Sequence, residues 1–591
     1  MLNLTAAVPK ALCTAQSVLP TAMTDVPTSM RHRSGIHPET VITTALLCGT
    51  LVVGFATLRD YGIALDEWNA DEYGVKALAW YTSGFNDRGM FNDVEETLWY
   101  YGPWFQILTA LIQALDIAGH WTTRHAVTLV TGIVGIAMLV PLARRVAGPW
   151  AGLTAIILCL TTGYLYGNLF CTPIDIPFLF AMTAATLAIV IMAKRRVPSW
   201  KATISAGLLT GLAIATRSSG IITQTYLVGA MALCAFEAVI DEKASPGRAL
   251  VQIGVRAAAA LLLAWVAAFA LWPWLQVGNP VTQFVLALAY FASHPASFTF
   301  AHWGEVLSTQ HLPWSYIPAQ LAARLPEIFL ASLATGLLIG VSNTVRFATA
   351  CAKSTRDLKT LALLLAQSRQ ALVVWAAALL PIGFVMLKGS TLYDGVRHVL
   401  FVIPLLAVIA SYGFTRLLPF LLRQPVLTAA GLGAFVGYQL YVLAALHPLE
   451  YIAFNAAAGG VQGAYGRFDM DYWALAAAVA LRQLEDRLDL EVPNPFSDKP
   501  PSLVICIPWR EALVQPMYRR PWRLETDPDK ADFLIATERM RCGEGRPVVL
   551  IDEVKRFDRP FAWTYARAPQ EAPRSAAAGH QGQLPSRPHA E

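Results

Sequence analysis

Eleven stretches of this chain carry no charged side chain over lengths that cross, or nearly cross, a bilayer. They are 41–58, 126–143, 149–169, 176–193, 202–216, 218–236, 257–274, 328–345, 370–387, 399–415 and 424–446, the fifth being the shortest. A helix rises about 1.5 Å per residue against roughly 30 Å of hydrocarbon, so about 20 apolar residues make a crossing. Within lipid every backbone polar group must be paired internally, and long apolar runs without alternation do that as helices. Composition agrees: 55% of the 591 residues are hydrophobic and 14% are charged, against roughly 25% charged in an ordinary globular protein. Those proportions exclude a soluble multidomain enzyme, a disordered chain, a coiled coil and a nucleic-acid binder. The expected fold class is an all-α polytopic membrane protein with about 11 transmembrane helices, interfacial helices in its outer loops, and a small C-terminal α/β domain.

A twelfth apolar run, Pro103–Leu115, ends at Asp116 after thirteen uncharged residues. Charge bias decides its role. If 103–119 does not cross, the N-terminus is cytoplasmic and the cytoplasmic segments hold nineteen Lys and Arg, against eight in the external segments up to 446. Counting it as a crossing would invert that positive-inside bias. Pro103–Gly119 is therefore expected along the outer surface, with Trp99, Tyr100, Tyr101 and Trp104 at headgroup depth. Residues 1–40 read as a cytoplasmic tail, and 59–125 and 275–327 as the two large outer loops of a 41–475 transmembrane body.

Beyond 475 the chain becomes charged and Pro-rich. Strand-like runs at Ser502–Ile507, Ala531–Thr537, Val548–Val554 and Phe561–Tyr565 predict an external α/β domain over 476–567, with 568–591 as a disordered tail. The eight cysteines form no CxxC or Cys/His cluster and read as small buried hydrophobes rather than a disulfide framework.

Chemistry concentrates outside. Loop 59–125 holds eight carboxylates between Tyr61 and Gly102. Most read as solvated loop charges, but Asp66 and Glu67 open a helix-like stretch, Trp68–Tyr81, close to the bilayer surface. Adjacent acids there must bind a cation, pair with a base or share a proton. Asp175 is isolated by twenty-nine uncharged residues before it and eighteen after it. It reads as a site acid at a helix mouth, with an N-cap before Ile176-Pro177 as the competing role. Arg217 lies between two spans, and Tyr393, Arg397 and His398 open the tenth. Arginines at span ends often only snorkel to headgroups, but here acids, these cations and His294, His302 and His311 share one face.

The ordered set Leu65-Asp66-Glu67, Tyr101-Gly102-Pro103-Trp104, Arg124, Leu142–Arg145, Asp175-Ile-Pro, Gly211–Arg217, Trp272-Pro-Trp274, Leu312-Pro-Trp314 and Leu392–His398 resembles the C-type membrane glycosyltransferases. It is most similar to the family 39-like group that contains the protein O-mannosyltransferases and the lipid A aminoarabinose transferase. The resemblance covers about 41–475. It implies inverting transfer of a sugar from a polyprenyl-phosphate monosaccharide to a protein, lipid or glycan acceptor at the outer face of a bacterial plasma membrane, with membrane lipids as surroundings and no nucleic-acid partner. It also implies Asp66 as general base, Glu67 as orienter or metal ligand, Asp175 as a second functional acid and Arg217 near the donor phosphate. Arg397, His398, Tyr393 and Tyr101 would complete the substrate site. A divalent metal could be held by Glu67 with one of the loop histidines His294, His302 or His311, His302 foremost, although Tyr100-Tyr101-Gly102 stands where the aminoarabinose transferase has a Glu-Lys pair. Two other functions compete: a flippase or transporter of a lipid-linked substrate, which should carry charges within its spans, and an O-antigen-type ligase, which should carry a more basic outer loop.

Overall fold

The computed structural model describes residues 37–92, 95–240, 246–353, 358–490, 501–506, 519, 521–525, 527–539, 542–543 and 545–567. The expected N-terminal tail (but for 37–40) and C-terminal tail lie outside the described residues. The chain divides into two compact units, one of Met1–Tyr61 with Asp66–Met470 and the other of Gly62–Leu65 with Asp471–Glu591.

The first unit is helical and polytopic. Among the described residues nine helices are long and apolar enough to cross a membrane, with a tenth crossing if one bent pair counts as a single span. In chain order the elements that frame the site are α1 (Pro38–Thr57), α2 (Leu65–Thr82), α3 (Trp104–Gln113), α4 (His120–Ala137), α5 (Asp175–Met192), α6 (Trp200–Thr216), α7 (Pro280–Ala292) and α8 (Val402–Leu421). At 17 residues, α6 is shorter than the nine. The ten residues of α3 reach about 15 Å, half a bilayer, which fits the surface placement expected of it.

The run 149–169 reads as one crossing in the sequence, yet it is built as Ala151–Leu160 and Gly163–Cys171, bent by 73°. The hydroxyls of Thr161 and Thr162 donate to the carbonyls of Ile157 and Leu158, both at 2.7 Å. Side-chain bonds of this kind compete with the helical ladder and bend it. Burial separates central from lipid-facing helices. Of the apolar window in α5, 83% is buried inside the protein, against 11% in Pro425–Leu446. A small antiparallel hairpin, β1 (Thr299–His302) with β2 (Glu305–Ser308), lies within the 275–327 loop.

The second unit pairs α9 (Ala476–Leu490) with a five-stranded sheet of order β4-β3-β5-β7-β6. Its strands are β3 (Ser502–Cys506), β4 (Arg523–Leu524), β5 (Phe533–Thr537), β6 (Val548–Arg556) and β7 (Arg559–Arg567). β3 runs parallel to β4 and β5, whereas β7 is antiparallel to β5 and β6. One cysteine expectation is corrected here. Cys506 and Cys542 form a disulfide with Cα atoms 5.8 Å apart. Their separation of 36 residues carries no motif, so only the sheet brings them together. Cys159, Cys171 and Cys234 are buried, and Cys48 is exposed.

Candidate functional site

Acidic residues suit the first turn of a helix, where the backbone N–H groups and the macrodipole are positive. Asp66 and Glu67 fill that turn of α2. Successive residues on a helix point about 100° apart, so the two acids face different neighbours. Asp66 Oδ2 accepts from Arg397 Nη2 at 3.2 Å, and Arg397 Nη1 donates to Asp394 Oδ2 at 3.0 Å. The Asp66 side chain keeps 32% of its surface open, while that of Asp394 is at 2%. Burial alone would lower the Arg397 pKa, but Asp66 and Asp394 outweigh it and hold the guanidinium well above its ordinary value.

The second pair joins Asp175, first residue of α5, to Arg217, which ends α6. Arg217 Nη1 donates to Asp175 Oδ1 at 3.3 Å, with both side chains nearly buried. The N-cap of α5 is Ile174, with no side-chain cap bond. Asp175 is thus occupied by an arginine rather than by the capping role that competed for it. Its field is felt by Arg397, and the fields of Asp66 and Arg397 reach it in turn. The two pairs form one electrostatic cluster.

An aromatic wall lines it. Arg217 lies 5.7 Å from the Tyr101 ring and 5.9 Å from Phe291, and Arg397 lies 5.2 Å from Tyr393. Tyr393 in turn contacts His398 at 4.7 Å and His294 at 6.0 Å. Backbone contact fixes the wall: Tyr101 bridges Arg217 in antiparallel fashion. A Cβ on Gly102 would stand 1.4 Å from the Ala215 carbonyl oxygen. Trp104 Nε1 donates to Thr216 Oγ1 at 2.7 Å. Burial, then the cations Arg397 and Arg217, push His398 well below the usual imidazole range. The same causes lower His294. Both rings stay neutral near pH 7. Burial raises Tyr393 and Tyr101 despite the arginines beside them.

Glu67 belongs elsewhere. It is fully buried, with Oε2 at 3.3 Å from His125 Nε2 and Oε1 at 3.9 Å from Arg124 Nε. Arg124, also fully buried, donates from Nη1 to Asp71 Oδ1 at 3.3 Å, and Asp71 Oδ2 meets His120 Nε2 at 2.8 Å. The expectation of a cation between Glu67 and His302 is corrected by these surroundings. His302 Nδ1 is bonded to Gln320 Nε2 at 3.1 Å, and its ring packs on Tyr316 and Phe468. A guanidinium beside Glu67 disfavours a metal ion there. Among the described residues no group of three His, Cys, Asp or Glu could hold one.

Of the residues singled out in the sequence, Asp66, Asp175, Arg217, Arg397, Tyr393, His398, Tyr101 and His294 come together, whereas Glu67 and His302 stand apart. His311 has no contact with the cluster among those described. Phe291 was missed, as were the pairing of Asp394 with Arg397 and the contacts that join Arg124, Asp71 and His120. Asp394-Gly395 is an Asp-Gly turn signal, and both residues adopt positive φ, 56° and 70°. Nothing local in the sequence marks Phe291, which α7 delivers from a distant loop.

No family model and no curated protein matches the chain. Solved structures of membrane proteins do. The structure of ArnT from Cupriavidus metallidurans in the apo state is 14% identical, covers 90% of this chain and 100% of its own, and has a TM-score of 0.45. That of the archaeal oligosaccharyltransferase AglB from Archaeoglobus fulgidus, in complex with an inhibitory peptide and a dolichol-phosphate, is 15% identical, covers 78% and 62%, and has a TM-score of 0.36. The S. cerevisiae protein O-mannosyltransferase Pmt1-Pmt2 complex bound to the sugar donor is 16% identical, covers 44% and 35%, and has a TM-score of 0.31. The chain is similar to these three solved structures at 14–16% identity.

Proposed function

We propose that this multi-pass membrane protein is an inverting glycosyltransferase that moves a sugar from a polyprenyl-phosphate monosaccharide to an acceptor hydroxyl at the outer face of a bacterial plasma membrane. The observation that carries this reading is the convergence of two carboxylate–guanidinium pairs, Asp66–Arg397 and Asp175–Arg217, beside one aromatic wall. The pattern suits a ligand with a phosphate at the bilayer boundary and a sugar against the rings.

In the reaction the acceptor oxygen bonds to the anomeric carbon as the bond from that carbon to the phosphate oxygen breaks. The electron pair leaves with the polyprenyl phosphate, through an oxocarbenium-like state. The phosphate needs positive charge more than a proton, a role for Arg217 and Arg397. The acceptor proton needs a carboxylate within hydrogen-bond reach, and Asp66, the more open of the paired acids, takes it. Arg397 now holds Asp66, so a phosphate that draws Arg397 to itself also frees the base. Tyr101, Tyr393 and the neutral His398 present rings and hydrogen-bonding groups to the sugar.

The Cys506–Cys542 bond supports an outward-facing C-terminal unit, since disulfides persist in oxidising compartments. The test is Asp66→Asn in a strain lacking the chromosomal copy, read by mass spectrometry of its glycolipids and glycoproteins. Loss of one glycan species with normal protein levels supports the reading. An unchanged glycan profile in both the deletion and the variant sinks it.

A further inference from the structure

We infer that Arg124 and Gln106 are positioning residues, which together hold the acid-bearing turn of α2 at a fixed distance from the Asp175 end of α5. The inference rests on the transfer reading above. Arg124, on α4, is fully buried. It reaches Asp71 Oδ1 on α2 at 3.3 Å, and its other Nη donates to Gln106 Oε1 on α3. The opposite end of the same amide, Gln106 Nε2, donates to the Pro173 carbonyl at 2.7 Å, two residues before Asp175. One uninterrupted set of hydrogen bonds, buried but for its part-buried end at Asp71, thus runs from α2 through α4 and α3 to the start of α5.

A surface helix ordinarily turns its apolar side inward. α3 instead buries Gln106 and, two turns on, Gln113, whose Nε2 donates to Asp71 Oδ1 at 3.0 Å. Gly74 on α2 permits this close packing, since a Cβ there would stand 2.6 Å from the Gln106 carbonyl oxygen. A buried guanidinium with its carboxylates is a poor route to stability, because an apolar replacement of equal shape is often as stable. What the arrangement does supply is direction. Each bond has one geometry, so Asp66 and Asp175 keep a set spacing. A misplacement of about 1 Å can cost roughly a hundredfold in rate.

The test compares Gln106→Leu, Gln106→Glu and Asp66→Asn in the full-length protein. A Glu at 106 still accepts from Arg124 but cannot donate to Pro173, so it cuts only the α5 half. Transfer is read in membranes, and undecaprenyl phosphate alone is titrated into detergent-purified protein by tryptophan fluorescence, with unfolding temperature measured alongside. We expect both Gln106 variants to lose at least about tenfold in transfer rate, with lipid-phosphate affinity and unfolding temperature unchanged. Wild-type transfer in both while Asp66→Asn is inactive overturns the positioning role alone. So does a rate loss matched by an equal loss of folded protein. Wild-type transfer by Asp66→Asn overturns the catalytic reading itself, and this inference with it.

Discussion

Asp66 and Glu67 are neighbours in sequence and opposites in surroundings. Asp66 keeps a third of its side chain open and faces Arg397, whereas Glu67 has no exposed surface and is enclosed with Arg124 and His125. One turn of helix therefore serves two regions, a half-open cluster with charges within reach of a ligand and a closed knot that joins three helices. The difference teaches that two acids adjacent in sequence need not be a pair in function. An acid meant to exchange a proton must be reachable, while an acid meant to hold a helix must be sealed.

The comparison can be broken at several points. The largest effect is expected on the open side. Asp66→Asn preserves shape and leaves Asp394 on Arg397, so it should reduce transfer by about 10²–10⁴-fold while the purified protein unfolds at the wild-type temperature. Glu67→Ala should do the reverse, lowering stability by about 3 kcal/mol or more, since it strips a carboxylate from a buried arginine. Glu67→Gln should cost less. Equal behaviour of Asp66→Asn and Glu67→Ala in a thermal unfolding assay would erase the distinction. Next comes Gly102→Ala, which forces a methyl into the Ala215 carbonyl and should cost about 1–3 kcal/mol, measured the same way.

The smallest effect sharpens the picture through pH. Burial pushes His302 down to about 4 from an ordinary 6.5. An unfolded chain then binds a proton there that the folded one refuses, so stability is lost as pH falls from above 6.5 toward 4. His447 has the opposite sign. Burial alone would lower it, yet Glu450 at 2.7 Å and Asp60 at 3.1 Å raise it. Its contribution is full below about 6.5 and fades as pH rises through the folded value. Relative to wild type, His302→Gln should gain unfolding temperature at pH 5 compared with pH 8. His447→Gln should lose more at pH 6 than at pH 9.

The helical body was legible because apolar runs are a one-dimensional signal, and the expectation of a polytopic all-α protein is borne out. The broken span at Thr161-Thr162 was not, since two hydroxyls inside an apolar run do not alter its hydropathy enough to signal a bend. In the site, isolation of a charge was the useful mark: Asp175 and Arg217 stand out against uncharged neighbours. Proximity was not legible. Arg124 was marked only as one member of the ordered set, and only the packing of α2, α3 and α4 shows that it meets Glu67, Asp71 and Gln106. The Cys506–Cys542 bond was hidden for the same reason, because strand order is a property of the sheet.

The abutment of Gly102 on Ala215 sets where this site can be redesigned. Main chain rests on main chain there with no room for a methyl, so the chain at 102 and the end of α6 are held at a fixed separation. Under the proposed transfer, a change of ligand preference is sought by leaving that seam intact and varying the rings of Phe291 and Tyr393, which face the arginines, whereas Tyr101 also packs against the buried cluster around Tyr73 and Trp80.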